Sequence, residues 1–419
     1  MKRILLIDRF YFPDEQATSI YLTELTLGLK DKFDFNILCG PPFVATQDES
    51  ATHAATNRWR PVDALWRESP LPRSRVYQVP SLNLPKRLLI CRFLNDLSFL
   101  VLALFQGLAI PRPDLVLSQT SPPGVWWVGF LLSRWHRVPW IHIFQDIFPD
   151  NLKVLNGSRN GTFFSLLDKV SNFPLLKADR LIVVGEDMKS RLIKKGFPAS
   201  KIYRTHNWVD LDFIRPLPKK NSFSEKHQLA DRFVVLYAGN FGRIHNFEDF
   251  LAAADRLKDN SGIRFVLVGD GALKKNLAKQ CEAKKLQNVS ILPYESRSML
   301  PKILATADVS VVLLKKGMVG LSVPSKIYSM LASGRPVLAC VEEESEVARL
   351  VRESNSGFVI PPGKADEWVA RIQQLIQNPG LKEELGRNAR HFVETQNYQK
   401  RAFHDYERIF RELTPGRDH

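Results

Sequence analysis

The feature that most constrains this chain is an alternation that runs twice. Short Val-, Ile- and Leu-rich runs recur between longer stretches of helical pattern, pause once, and begin again. In the first pass the runs are RILLID (3–8), FNILCG (35–40), VYQVP (76–80), DLVLSQ (114–119), PWIHIF (139–144), RLIVVG (180–185) and IYRT (202–205). In the second they are FVVLYAG (233–239), RFVLVGDG (264–271), VSILPY (289–294), ADVSVVLL (307–314), RPVLAC (335–340) and GFVIPP (357–362). Runs that are apolar throughout, with helices between them, predict parallel sheets covered on both faces. The pause, DFIRPLPKKNSFS (212–224), has prolines and lysines where an apolar period would continue, and reads as an interdomain linker. The expected organisation is an α/β protein with an N-terminal domain over 1–211, a linker over 212–224 and a C-terminal domain over 225–395. A helix over 396–419 is expected to pack back toward the first domain. A length of 419 residues agrees with two domains. Ligands of such sheets bind beyond the strands' carboxyl ends, so two of them facing each other would make a cleft. The polar stretch 43–66 reads as a loop over that cleft.

Charge narrows the partners. The formal net charge is +15, with the basic residues in small dispersed groups. That pattern suits phosphorylated substrates or an anionic membrane surface better than nucleic acid, for which a basic arm is the usual sign. Cys39, Cys91, Cys281 and Cys340 lie far apart, with no CxxC pair or Cys/His cluster, which predicts free thiols in a reducing compartment and no zinc site. The opening MKRILLIDRFYFP reads as a first strand, since Asp8 and Arg9 interrupt its apolar run. Leu88–Ile110 has the length of a membrane span, but Arg92, Asn95 and Asp96 break its first half. It reads as a core helix with a basic beginning, Lys86, Arg87 and Arg92, able to rest on a bilayer.

The candidate chemistry clusters at strand ends. Val323-Pro324-Ser325-Lys326 stands between a strand and a helix. A helix start leaves amide groups unpaired and carries partial positive charge, so Ser325 as a cap and Lys326 as a full charge would suit a phosphate or diphosphate. In YAGNFGRIHNF (237–247), Gly239 and Gly242 bracket Asn240 and permit close backbone approach, while Arg243 supplies a second cation. Gly269 and the Pro293-Tyr294 pair end two further strands, where backbone groups can meet a nucleotide base. In the N-terminal half, Gln145, Asp146 and Asp150 follow PWIHIF, and Asn207 closes the last strand.

Together these segments resemble the family-four retaining glycosyltransferases of the GT-B fold, in particular the branch that builds capsule, O-antigen and colanic-acid-type polysaccharides, which includes fucosamine transferases. The carriers are RFYFPDEQATSIYLTEL, TSPPGVWWVGFLLSRWHRVPWIHIFQDIFPD, NWVDLDFIRP, YAGNFGRIHNFEDFLAAA, FVLVGDG, LPY and GLSVPSKIYSMLASGRPVLA. The resemblance implies two Rossmann-like domains facing a cleft, with a nucleotide-diphosphate sugar on the second and a saccharide or polyprenyl-diphosphate-linked acceptor on the first. It implies transfer without a metal or other cofactor, at the cytoplasmic face of a membrane. Lys326 and Arg243 would stabilise the leaving diphosphate and Asp146 would orient or deprotonate the acceptor. Gly239, Asn240, Gly242, Gly269, Pro293, Tyr294, Pro324, Ser325, Ser329 and Glu346 would line the donor. Glu15, Gln16, Thr18, Gln145 and Asn207 would lie on the acceptor side or in the cleft. Many members carry two glutamates eight positions apart, where this chain has Leu321 and Ser329. The first loop has Glu15, Gln16, Ala17 and Thr18 where many have a glycine pair. Two rival readings are a nucleotide-sugar 2-epimerase of the same fold and a degenerate transferase serving as a membrane-complex scaffold.

Overall fold

The computed structural model describes residues 1–14, 16–41, 74–84, 88–157 and 161–415. The expected loop over 43–66 and the basic pair Lys86 and Arg87 lie outside them. The chain divides into two compact units. One comprises residues 1–153, 158–206 and 402–419; the other comprises 154–157 and 207–401.

The first unit is built on a seven-stranded sheet, ordered β3-β2-β1-β4-β5-β6-β7, in which every pairing is parallel. Its strands are β1 (Lys2–Ile7), β2 (Phe33–Cys39), β3 (Arg75–Gln78), β4 (Leu115–Gln119), β5 (Trp140–Phe144), β6 (Arg180–Val183) and β7 (Ile202–Arg204). The central strands β4 and β5 are buried along their whole length, as their unbroken apolar sequences require. Strand order reverses direction at the β1/β4 neighbours, so the helices fall on opposite faces by right-handed crossover. Helix α1 (Ala17–Gly28) lies on one face with the chain's last segment, whose Phe403 ring covers Gly28 so closely that an added Cβ would meet it at 2.2 Å. Phe410 meets Phe33 edge-on at 5.5 Å on the same side. Helices α2 (Leu89–Ala109), α3 (Val125–His136), α4 (Asp150–Asn156), α5 (Thr162–Leu175) and α6 (Glu186–Lys194) belong to the remaining connections.

The second unit holds a six-stranded parallel sheet, ordered β10-β9-β8-β11-β12-β13. Its strands are β8 (Phe233–Ala238), β9 (Ile263–Val268), β10 (Val289–Leu292), β11 (Val309–Leu313), β12 (Val337–Cys340) and β13 (Gly357–Ile360). Alternate side chains of β8 enter different cores: Val235 and Tyr237 pack with Phe250, Phe265 and Trp368, while Val234 and Leu236 pack with Phe223 and Ile303. Among the described residues, thirteen strands thus stand where thirteen apolar runs were read.

The segment read as a linker is anchored within the second unit. Arg390 donates to the carbonyls of Leu211 (3.3 Å), Ile214 (2.8 Å) and Ala332 (3.1 Å), and Arg335 to those of Leu217 (2.9 Å) and Ala305 (2.7 Å). Lys219 bonds Asp308, a buried carboxylate that also accepts from Lys382 (2.7 Å) and the Val234 amide (2.9 Å). From Asn221 the chain is already helix α7 (Ser222–Lys226), closed by a capping box in which Asn221 accepts from Phe223 and Ser224 amides. The change of unit falls at 206/207, ahead of the prolines, and the guanidinium groups of Arg335 and Arg390 satisfy carbonyls that the irregular segment leaves outside any ladder.

The four cysteines are free. Helix α2 departs from its reading as a core helix. Asn95, Phe99 and Ala103 are its buried side, while Phe93, Leu97, Val101 and Phe105 face out. It is long and apolar enough to cross a membrane by length and composition only.

Candidate functional site

In the second unit the strand order reverses at β8 and β11, and the loops leaving these two strands carry the site. β8 ends in Tyr237 and Ala238, followed by Gly239 at φ +135°. β11 leads to the helix α11, Lys326–Ala332, reached after α8 (Phe247–Arg256), α9 (Lys274–Ala283) and α10 (Leu300–Thr306). Lys326, the first residue of α11, turns back over β8. Its Nζ donates to Tyr237 Oη at 2.6 Å and stands 3.8 Å from the centroid of the same ring. The Tyr237 hydroxyl, so engaged as acceptor, donates to the carbonyl of Asn240 at 2.7 Å. Gly239 is a requirement here: a Cβ on it would lie 3.0 Å from the Lys326 ammonium.

Among the described residues no carboxylate pairs with Lys326, and burial pushes its pKa down to about 7. His245 lies in the same cluster, its ring edge-on to Tyr237 at 5.7 Å. Its Nδ1 donates to the Leu313 carbonyl at 2.8 Å. Burial first, and the Lys326 charge second, push the imidazole down to about 3, so it is neutral. A neutral ring with Nδ1–H engaged leaves Nε2 as an acceptor. The cluster is therefore a half-buried cation on an aromatic floor with neutral neighbours, which favours an anion more than water does.

The neighbouring loops are locked together by glycines. Gly269, at the end of β9 with φ +146°, passes so near Gly239 that a Cβ would come within 2.0 Å of the Gly239 carbonyl oxygen. The Phe241 amide bonds the Asp270 carbonyl at 2.7 Å. Asn240 and Arg243 are exposed, and Arg243 has no carboxylate partner among the described residues. Gly242 is half-buried beside them, and Pro293 and Tyr294 are exposed beyond β10.

Ser325 does not cap α11. Its backbone is already helical (φ −60°, ψ −22°) and its side chain makes no cap bond, because a capping side chain needs an extended backbone to reach inward. The Ile327 and Tyr328 amides bond the carbonyls of Pro324 and Ser325 at 3.2 Å each, so they are not free for a ligand. The local positive charge thus comes from the lysine side chain more than from the helix start. Pro324 is buried and Ser329 half-buried. Leu321 is fully buried, so a carboxylate could not replace it without loss of packing. Glu346 opens α12 (Glu346–Glu353), capped by Ser345, and is buried against Arg349, whose Nε lies 3.1 Å away.

The first unit carries its own strand-end group. Thr120, after β4, accepts from the Gln145 amide (3.0 Å) and donates to the Ile143 carbonyl (3.1 Å), fixing the turn that presents Gln145 and Asp146 beyond β5. Both are half-buried. Gln16 precedes α1 without a side-chain cap bond and Thr18 lies in its first turn, while Glu15 is outside the described residues. Asn207 is buried and falls in the second unit. Asp150, at the same strand end, is buried among Lys195 (2.9 Å), Arg191 (3.1 Å) and Lys153 (3.4 Å), with Asp168 completing the cluster through Lys195 (2.7 Å). At the end of β1, Asp8 is buried and accepts from the Phe10 amide at 2.7 Å, and burial raises its pKa well above the carboxylate range.

Tyr237 and His245 were not singled out by the sequence. Both are in the segment YAGNFGRIHNF, but a tyrosine in an apolar strand and a lone histidine read as core. No group of three or more His, Cys, Asp or Glu among the described residues is arranged to hold a metal.

Residues 219–392 match the family model for glycosyl transferases group 1, and residues 24–213 match that for Glycosyltransferase Family 4. WbjE of Pseudomonas aeruginosa, named a glycosyltransferase, is 30% identical over 271 residues, covering 64% of this chain and 67% of its own. WcaI of Escherichia coli K12, named for colanic acid biosynthesis, is 24% identical over 393 residues, covering 90% of this chain and 93% of its own. Among solved structures, Anabaena HepE in complex with UDP and glucose superposes with a TM-score of 0.73 at 15% identity, covering 99% of this chain and 100% of that one. Sucrose-phosphate synthase from Thermosynechococcus elongatus gives 0.74 at 19%, with 99% of each chain covered. These likenesses identify the fold as GT-B. With one such model on each unit and a relative at this identity, the chain belongs to the glycosyltransferase family of group 1 and family 4, and it is a glycosyltransferase.

Proposed function

We propose that the chain transfers a sugar from a nucleotide-diphosphate donor to a lipid-linked saccharide acceptor in the building of a bacterial surface polysaccharide, with retention of configuration. The observation that carries the donor half is the Lys326 ammonium, half-buried on Tyr237 with no carboxylate paired to it among the described residues. A leaving diphosphate gains negative charge as the glycosidic bond breaks, and a positioned cation in a dry site stabilises that charge more than it stabilises the ground state. Arg243, exposed on the next loop, is assigned a second phosphate contact. Gly239 and Gly269 let the two strand-end loops and Lys326 pack closely at the site, and these glycines with Gly242, Asn240, Pro293, Tyr294, Ser325 and Ser329 are assigned to the nucleotide and sugar. Glu346, paired with Arg349, is assigned to hold the donor side through that pair. Asp146 is assigned the acceptor hydroxyl.

The crystallised complexes of HepE with UDP and UDP-glucose support a nucleotide sugar as donor, and the names of WbjE and WcaI support the reaction class and the polysaccharide setting. The charge compensation proposed here is made by side chains, so transfer is expected without a metal. The enzyme is expected to work peripherally at the inner membrane face, where a polyprenyl-linked acceptor is presented. The test is a thermal-shift screen of UDP-, GDP- and dTDP-sugars in EDTA. A ligand at 100 times its dissociation constant should stabilise the fold by about 2.7 kcal/mol. No shift with any donor, or a shift only after magnesium or manganese is added, contradicts this reading.

A further inference from the structure

We infer that the outer face of the helix layer α2, α3 and α5 inserts into the headgroup–acyl boundary of an anionic bilayer. The inference deepens the membrane-facing side of the proposed function, and rests on that reading for its purpose but not for its physics. The connections β3 to β4, β4 to β5 and β5 to β6 all step the same way across the sheet, so their helices share one face. Helix α3 is the middle member. Gly107 of α2 lies against Leu132 of α3, where a Cβ would come within 2.4 Å, and Phe173 of α5 stacks on Trp127 of α3 at 5.9 Å.

The outer surface of this layer is apolar where a solvated helix layer is polar. On α2, Ile90, Phe93, Leu97, Val101 and Phe105 are exposed, Phe93 at 60% and Phe105 at 65%. At 100° per residue they occupy an arc of about 120° opposite the buried Asn95, Phe99 and Ala103. On α3 the exposed residues include Leu131 and Trp135, the latter at 64%. On α5 they are Phe163, at 70%, with Leu166, Val170 and Phe173 at helical spacing. Three neighbouring helices of one face thus each present large apolar side chains to solvent, a concentration that soluble surfaces rarely leave uncovered.

Charge selects the occupant. Arg92, Arg134, Arg137, Lys169 and Lys177 are exposed on or beside this face, and none pairs with a carboxylate among the described residues. The acids of the three helices are Asp96 and Asp168, and each pairs with a base: Asp96 with Arg9, Asp168 with Lys195 at 2.7 Å. A second copy of this face would oppose cations to cations. An anionic lipid surface offers hydrocarbon for the rings and headgroups for the cations. Helix α2 lies in the interface without crossing it. Asn95 bonds the amide and carbonyl of Leu84 (2.8 and 2.9 Å), and buried His136 donates to the Gly107 carbonyl (3.0 Å), so leaving the unit would strand polar groups in hydrocarbon.

The surface differs from the purely electrostatic docking read from the basic start of α2, and the difference is measurable. In flotation with phosphatidylcholine vesicles containing phosphatidylglycerol, the protein should bind at 0.15 M salt and stay bound at about 1 M, where the Debye length is about 3 Å and attraction between exposed charges is screened. The Trp135 emission should shift to the blue on binding, a change lost in Trp135→Phe. Phe93→Asp, Phe105→Asp and Phe163→Asp combined should lower the floated fraction at least tenfold, while the three Phe→Leu changes should keep it. Release of wild type by salt with the aspartate variant floating equally would reduce the contact to charge alone and overturn the inference. So would no flotation together with a dimer that the aspartate variant dissociates. Nucleoside-diphosphate thermal shifts on the same preparations separate the claims: loss of flotation with donor binding intact removes only the membrane face, and loss of donor binding with flotation intact removes only the donor site.

Discussion

The ammonium of Lys326 and the hydroxyl of Tyr237 lie 2.6 Å apart, with the same ring 3.8 Å from the nitrogen at its centroid. One aromatic residue therefore supplies both an acceptor and a π face to one cation. A buried lysine usually finds a carboxylate; this one finds neutral partners, which hold it in place without cancelling its charge. The kind of partner thus leaves the cation's charge uncompensated by the side chain it rests on, and that partner comes from a strand that also builds the core.

Tyr237→Phe keeps the ring and removes the acceptor. Donor affinity is expected to fall severalfold, since a hydrogen bond to a charged group contributes about 1.5–3 kcal/mol and part of that is recovered by the bound phosphate. Tyr237→Ala is expected to cost about 3–5 kcal/mol of stability as well, from the core cavity. Urea unfolding and calorimetric titration with a nucleotide sugar, run on both variants, check the two effects separately.

Donor binding should depend on pH through Lys326. With its pKa lowered to about 7 by burial, the free lysine is protonated below pH 7 and loses its charge above it. A diphosphate favours the charged form, so binding takes up a proton and weakens as pH rises through 7. The unliganded fold behaves oppositely. Between about pH 7 and the ordinary lysine range the unfolded chain binds more protons, so stability contributed at this site rises with pH. Calorimetry in two buffers of different ionisation enthalpy reads the proton uptake, which Lys326→Met should abolish.

The strands were legible because parallel strands buried on both faces must be apolar throughout, and runs such as DLVLSQ and ADVSVVLL have few other uses. Lys326 and the Gly239 loop were legible as strand-end chemistry. The Ser325 cap was misread because a serine before a helical pattern looks the same whether its backbone is extended or already helical. Tyr237 and His245 were hidden by looking like core, which in part they are. Leu88–Ile110 was misread because apolar period fixes a face but not its direction: Asn95, Ala103 and Gly107 turn inward with Phe99, where the small ones admit close helix packing, and Phe93, Leu97, Val101 and Phe105 turn out. The linker composition of 212–224 hid an ordered segment, since nothing local shows that Arg335 and Arg390 reach its carbonyls.

The Asp150 cluster should set acid sensitivity in the first unit. Burial alone would raise the Asp150 pKa, but Lys195 and Arg191 outweigh it and hold the carboxyl below its usual range. Its stabilisation is present above the unfolded carboxylate range and is lost as pH falls through the lowered folded value. Asp150→Asn should destabilise the unit at neutral pH, because Lys153 and Lys195 keep Asp168 but lose their second carboxylate, and should flatten the acid limb of stability. Urea midpoints from pH 3 to 7 for both proteins test it; parallel curves would deny the cluster this role.

The measurement closest to the central claim is donor binding and sugar transfer by Lys326→Met, which keeps the bulk of the side chain and removes its charge. Donor affinity should drop at least tenfold and turnover by about 100-fold or more, the scale on which removal of a positioned electrostatic group acts. The melting temperature should hold or rise, because a buried charge has been removed. Wild-type affinity and turnover in a folded Lys326→Met protein would contradict the assignment of this lysine to the leaving diphosphate.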